Sequence, residues 1–144
     1  MKKILSVILS LVLIVALLPL FPVSARADYS FGDWTYDFDG SGITVVTGYP
    51  GTDLDLEIPA VMNGNKVKRI EMSAFVNNPM TSITIPEGIT HISEDAFKYC
   101  SSLKIVRLPS TLQYVDIGAF YGCGIIDVYY NGNESSFLNA ITWE

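Results

Sequence analysis

A single histidine, two cysteines and a few spaced carboxylates are the residues of this chain whose types suit them to chemistry. Nucleophilic catalysis needs a Ser, Thr or Cys held against a base. His91 is the sole imidazole, with Ser93, Glu94 and Asp95 close by in sequence. Sequence proximity is not a triad, however, and His91 occupies the same place as Arg69 and Tyr114 in a recurring segment whose outer apolar pair points inward. That alignment makes it an outward ladder residue rather than a general base. No catalytic residues are expected, and the chain reads as a non-enzyme.

Cys100 and Cys123 fall at equivalent places, 23 residues apart. Stacked, in-register strand positions lie about 4.8 Å apart, but their parallel side chains hold the Cβ atoms farther apart than the roughly 3.8 Å a disulfide prefers. Buried free thiols are expected. Zinc would need a second pair of ligands, and none accompanies them.

Asp37-x-Asp39-Gly-Ser41 has part of a calcium-loop pattern, yet it lacks the third acid and the distal Glu, so a plain turn explains it. Asp53, Asp55 and Glu57 share one side of a strand and read as a solvated stripe. No metal and no cofactor are expected. Asn133-Glu134-Ser135 matches an N-glycosylation acceptor, which has meaning only in a eukaryotic cell.

The elements that position these residues follow from a repeat. Ala74-Phe75, Ala96-Phe97 and Ala119-Phe120 are 22 and 23 residues apart, and Pro86 and Pro109 are 23 apart. Periods of this size mark a solenoid. In each coil a first strand alternates inward and outward residues. Leu56, Ile83, Val106 and Val128 therefore point inward beside Ile58, Ile85, Leu108 and Tyr130. Pro59, Pro86 and Pro109 end the ladder because proline donates no backbone hydrogen bond, and Asn131 replaces proline in the last coil. A second segment follows at Val67-Lys-Arg-Ile70, Ile89-Thr-His-Ile92 and Leu112-Gln-Tyr-Val115. The Ala-Phe portion then closes the coil, with Phe75, Phe97 and Phe120 forming an aromatic stack.

Cys-x-x-Leu-x-x-Val-x-Leu-Pro at Cys100 to Pro109, with the slightly shortened Val-x-x-Ile-x-x-x-Ala-Phe at Val115 to Phe120, resembles the BspA-like leucine-rich repeat family of secreted and surface proteins. The resemblance covers about residues 54 to 130. It implies a β-rich, right-handed solenoid of about three regular 22–23-residue coils, no enzymatic activity, export, and adhesion or binding to host proteins. One departure is the spacing from Pro59 to Val67, which is 8 against 3 in the later coils. The five-residue insertion carries Asn63-Gly64 and predicts a small protruding hairpin loop.

Solenoid ends need caps. Residues 28–52 are expected to supply an N-terminal β-hairpin, with Trp34, Tyr36 and Phe38 on one strand, a turn at Asp39-Gly40-Ser41-Gly42, and Ile43 to Thr47 returning. Residues 53–130 form the solenoid. Residues 131–144 supply a C-terminal cap with a short helix, because Phe137, Leu138 and Ile141 share helical spacing. Residues 1–27 read as a signal peptide: Lys2 and Lys3, an apolar run from Ile4 to Phe21, then Val23-Ser-Ala-Arg-Ala27 with cleavage after Ala27. A secreted or surface-associated product without stable membrane insertion is expected.

Removal of that leader takes away three of the nine basic residues and none of the fifteen acids, leaving a net charge of −9. Such acidity opposes nucleic-acid and anionic-membrane binding. Protein or glycan binding is expected on the outward face of the first strands. One row there is Asp55, Ser82, Ile105 and Asp127; the other is Glu57, Thr84, Arg107 and Tyr129. Outward Ile105 and Tyr129 are contact anchors in this reading. The alternative is a spacer or self-assembly module with no dedicated ligand.

Overall fold

A computed structural model describes residues 29–140. The leader expected over 1–27, together with Ile141 and Trp143, lies outside the described residues. The architecture is a β-solenoid of about four turns with a short C-terminal helix.

Two sheets run along the solenoid. The first takes the leading strand of each coil: β4 (Asp55–Glu57), β7 (Ser82–Thr84), β9 (Ile105–Leu108) and β11 (Asp127–Tyr130), all parallel. The second takes the following segments, β6 (Asn65–Ile70), β8 (His91–Ile92) and β10 (Tyr114–Val115), also parallel. Between them lies the core predicted by alternation. Leu56, Ile83 and Val106 are buried beside Ile58, Ile85 and Leu108, and Val67, Ile70, Ile89, Ile92, Leu112 and Val115 close it from the other side.

Val128 departs from the expected inward row, being 48% exposed. Among the described residues its strand is the last rung of the first sheet, with β9 as its only strand neighbour there. The residues that bury its counterparts in earlier coils have no equivalent over it among the described residues.

The Ala-Phe portions form a third side without regular strand geometry. Phe75 N–H donates to Ala96 C=O at 2.8 Å and Phe97 N–H to Ala119 C=O at 2.7 Å, so these turns are also laddered from coil to coil. Phe75, Phe97 and Phe120 stack with centroids 5.0 Å apart at each step. The turn needs a left-handed backbone twice per coil. Ser73, Asp95 and Gly118 take the first such position (φ 59, 57 and 70°), and Asn77, Tyr99 and Gly122 the second (φ 60, 60 and 74°). Two non-glycine coils therefore carry strain that the last coil avoids with glycine.

At the N-terminal end, β2 (Trp34–Phe38) and β3 (Thr44–Gly48) are antiparallel, as expected, and β3 continues the second sheet by pairing parallel to β6. The hairpin is extended by an unexpected strand, β1 (Tyr29–Phe31), antiparallel to β2. The insertion forms a hairpin between β5 (Val61–Met62) and β6, turning through Asn63 and Gly64 with φ 46 and 83°. It does not protrude freely: Asn63 Nδ2 donates to Tyr36 Oη at 2.8 Å, tying its tip to the N-terminal strands.

The helix α1 (Glu134–Ala140) starts at Asn133, whose Oδ1 accepts the Ser136 N–H at 2.9 Å, an N-cap that satisfies one of the free amides of the first turn. Phe137 packs on Tyr130 with centroids 5.2 Å apart, and Ala140 is buried. Leu138, expected on the packing face, is 55% exposed.

Candidate functional site

The outer face of the first sheet brings the two predicted rows together in register. Asp55 pairs with Ser82, Ser82 with Ile105, and Ile105 with Asp127; Glu57 pairs with Thr84, Thr84 with Arg107, and Arg107 with Tyr129. Asp55, Glu57, Arg107, Asp127 and Tyr129 are exposed, while Ser82, Thr84 and Ile105 are half-buried between taller neighbours. The result is a shallow depression of about 510 Å³ whose lining includes Asp55, Glu57, Ser82, Ile105 and Arg107.

Local contacts hold these side chains in place. Asp55 Oδ1 accepts the Thr81 and Ser82 hydroxyls at 3.0 Å each. The Arg107 guanidinium lies 5.4 Å from the centre of the Tyr129 ring, a cation–π contact between adjacent rungs. Thr81 and Lys104 also line the depression, although strict alternation directs them inward. Thr81 C=O accepts both Lys104 N–H (2.8 Å) and Ile105 N–H (3.3 Å), so the chain bends before the strand and two successive residues share one side. The paired positions Thr81 and Lys104, polar in both coils, are the sequence signal for this.

The second sheet carries the histidine. His91 stands in register with Arg69 and Tyr114, as aligned. It is half-buried, and its Nε2 lies 2.8 Å from Asp116 Oδ2, with the Tyr114 ring 5.6 Å away. The acid beside it is thus Asp116, one coil on, rather than Glu94 or Asp95, three and four residues farther along its own coil. Asp95 is instead bonded to Lys98 at 2.6 Å.

Each thiol donates to a carbonyl of the preceding coil, Cys100 Sγ to Phe75 O at 2.9 Å and Cys123 Sγ to Phe97 O at 3.0 Å. Both cysteines are free; Cys100 is buried and Cys123 half-buried. The adjacent Cys123 sulfur and burial together push the Cys100 thiol well above its usual range.

The acidic motifs are engaged by hydroxyls and backbone amides of their own loops. Asp39 Oδ1 accepts the Ser41 hydroxyl (2.7 Å) and the Ser41 and Ile43 amides (2.9 Å each), and the Ser41 hydroxyl is the chief reason its carboxyl sits below the ordinary range. Asp53 Oδ2 accepts the Tyr49 hydroxyl at 2.5 Å, and that bond is the main cause pushing the Tyr49 phenol up to about 12. Among the described residues no group of three or more His, Cys, Asp or Glu is set to hold a metal ion, and no helix is long and apolar enough to cross a membrane.

The chain is similar to a leucine-rich cell surface protein from Faecalibacterium prausnitzii A2-165, with TM-score 0.65, 26% identity, and coverage of 83% of this chain and 32% of that one. It shares its fold with a leucine-rich repeat protein of T. pallidum (TM-score 0.65, 20% identity, 70% and 49% covered). A leucine-rich repeat protein from Bacteroides ovatus also shares it (TM-score 0.52, 22% identity, 72% and 37% covered). The chain thus spans about a third to a half of the length of these proteins. A search of curated proteins found no match. The family model for the BspA type leucine-rich repeat region (6 copies) matches residues 57–141, more than half of the chain. The chain belongs to the BspA-type leucine-rich repeat family, whose modules commonly mediate protein–protein interaction.

Proposed function

We propose that this chain is an exported binding module that captures an extracellular protein or glycan through the outer face of the first sheet, by way of adhesion or a related interaction. The observation that carries this reading is the in-register pair of rows, in which polar and charged side chains surround half-buried Ile105 and exposed Tyr129. A side chain that alternates with the core is not part of it, so its identity is free to serve a contact. The cell-surface description of the F. prausnitzii protein supports export, as does the leader pattern ending at Ala27. Residues 28–52 and 131–144 act as end caps in this reading. Replacing Arg107 and Tyr129 together by Ala should weaken capture of matrix proteins or cell-wall glycans at least tenfold with an unchanged melting temperature; unchanged capture discards this face.

The second reading, a spacer or self-assembly module, draws on the edge of β11, where Ile126 and Val128 are exposed. An open edge strand with apolar neighbours invites pairing with another chain. Light scattering separates the two: a strictly monomeric chain at high concentration favours the binding module.

A further inference from the structure

The depression on the first sheet has opposite charges on its two sides. Asp55 and Glu57 stand on β4, Lys104 and Arg107 at and just before β9, and the uncharged Ser82 and Thr84 of β7 lie between. Two strand spacings, about 9.6 Å, separate the acidic rung from the basic one. Among the described residues no ion pair bridges them. Asp55 is occupied with the Thr81 and Ser82 hydroxyls, and Arg107 lies over Tyr129. Segregated charges held apart over a polar floor leave a field across the depression that a partner of reversed polarity would answer.

We propose that this depression binds an extended polypeptide segment lying across the strands, with basic side chains over Asp55 and Glu57 and acidic side chains over Lys104 and Arg107. The inference rests on the reading of this face as a binding surface and names the partner's chemistry. An uncharged glycan would leave both rungs unanswered and desolvated on one side, at a cost. A uniformly charged partner would be attracted by one rung and repelled by the other. An extended chain advances about 3.4 Å per residue, so three residues cover the separation between the rungs. Such a segment can lie in either direction, because only the order of its charges matters. Selectivity then comes from charge order and not from net charge.

The test uses fluorescence anisotropy of the full chain with three labelled ten-residue peptides: lysines and glutamates segregated at opposite ends of a Ser/Thr spacer, the same residues alternating, and an uncharged Ser/Thr peptide. The segregated peptide should bind at least tenfold tighter than either of the others. Glu57→Lys alone and Arg107→Glu alone should each lose about tenfold, while reversing all four charges (Asp55→Lys, Glu57→Lys, Lys104→Glu and Arg107→Glu) restores binding because the peptide turns end for end. A melting temperature within a few degrees of the parent certifies each variant. Equal binding of the alternating peptide, or a correctly folded fourfold reversal that fails to restore affinity, overturns the proposal. If no peptide binds while protein or glycan capture still depends on Arg107 and Tyr129, the polarity inference falls and the binding-face reading stands. If that dependence is also missing, the reading itself falls.

Discussion

The rings of Phe97 and Phe120 lie 5.0 Å apart with their planes only 2° from parallel, and Phe75 repeats the arrangement on the other side at 5.0 Å and 4°. The middle ring therefore touches aromatic surface on both faces. Phe97→Ala should cost about 3–5 kcal/mol, the usual range for emptying a buried aromatic site. The half-buried end ring in Phe120→Ala should cost less. Urea denaturation of the two variants checks the order; equal losses would mean that the stack does not act as a unit.

Gly122 combines a φ of +74° with a tight neighbour, since a Cβ there would lie 2.5 Å from Tyr99 Cδ1. Gly122→Ala should lower stability by about 1–2 kcal/mol, the cost of a left-handed backbone for a residue with a side chain. Gly40→Ala, which meets nothing within 4 Å, is the matched control and should leave the melting temperature in place.

Alkaline pH should act through Tyr49. Its hydrogen bond to Asp53 favours the neutral phenol in the folded chain, raising its pKa to about 12 from the ordinary value of 10.0. That contribution is complete below pH 10 and is lost as pH climbs towards 12. Asp53→Ala should bring Tyr49 ionisation to lower pH and remove this part of the alkaline decline. Absorbance at the tyrosinate band with parallel thermal melts tests the shift, and coincident titrations of parent and variant would refute it.

The two thiols should differ in reactivity. Thiolate is the reactive form, and Cys100 is both buried and pushed upward. Mild alkylation of the folded chain should label Cys123 first and leave Cys100 unlabelled until unfolding, which should expose two thiols without reductant. Mass spectrometry of the labelled peptides reads the order, and early labelling of Cys100 would contradict it.

Much of this structure was legible because a coil repeats its demands. Leu56, Ile83 and Val106 alternate with outward neighbours that are polar everywhere but at Ile105, in three successive rungs, so a single period located the core and the outward rows. What escaped was set by ends and corners. Val128 has the residue type of its counterparts but, among the described residues, no following coil over it. Thr81 and Lys104 precede their strands, where alternation does not apply. Tyr99 adopts a left-handed backbone that its residue type does not advertise, although Asn77 and Gly122 at the same place in neighbouring coils do. The strand Tyr29–Phe31 is only three residues long, and Gly32-Asp33 was its only turn signal. His91 meets Asp116 across 25 residues, a pairing visible only once coils are stacked in register.

The hairpin through Asn63 and Gly64 adds five residues to one coil, yet Arg69 still meets His91 and Ile70 still meets Ile92 in register. The corner between Ala60 and Val67 therefore behaves as an expansion joint, absorbing a change in length without transmitting it along the stack. A foreign loop grafted there would be displayed beside the N-terminal strands while every rung beyond it kept its place, which makes this corner the natural port for inserting a reporter or an epitope.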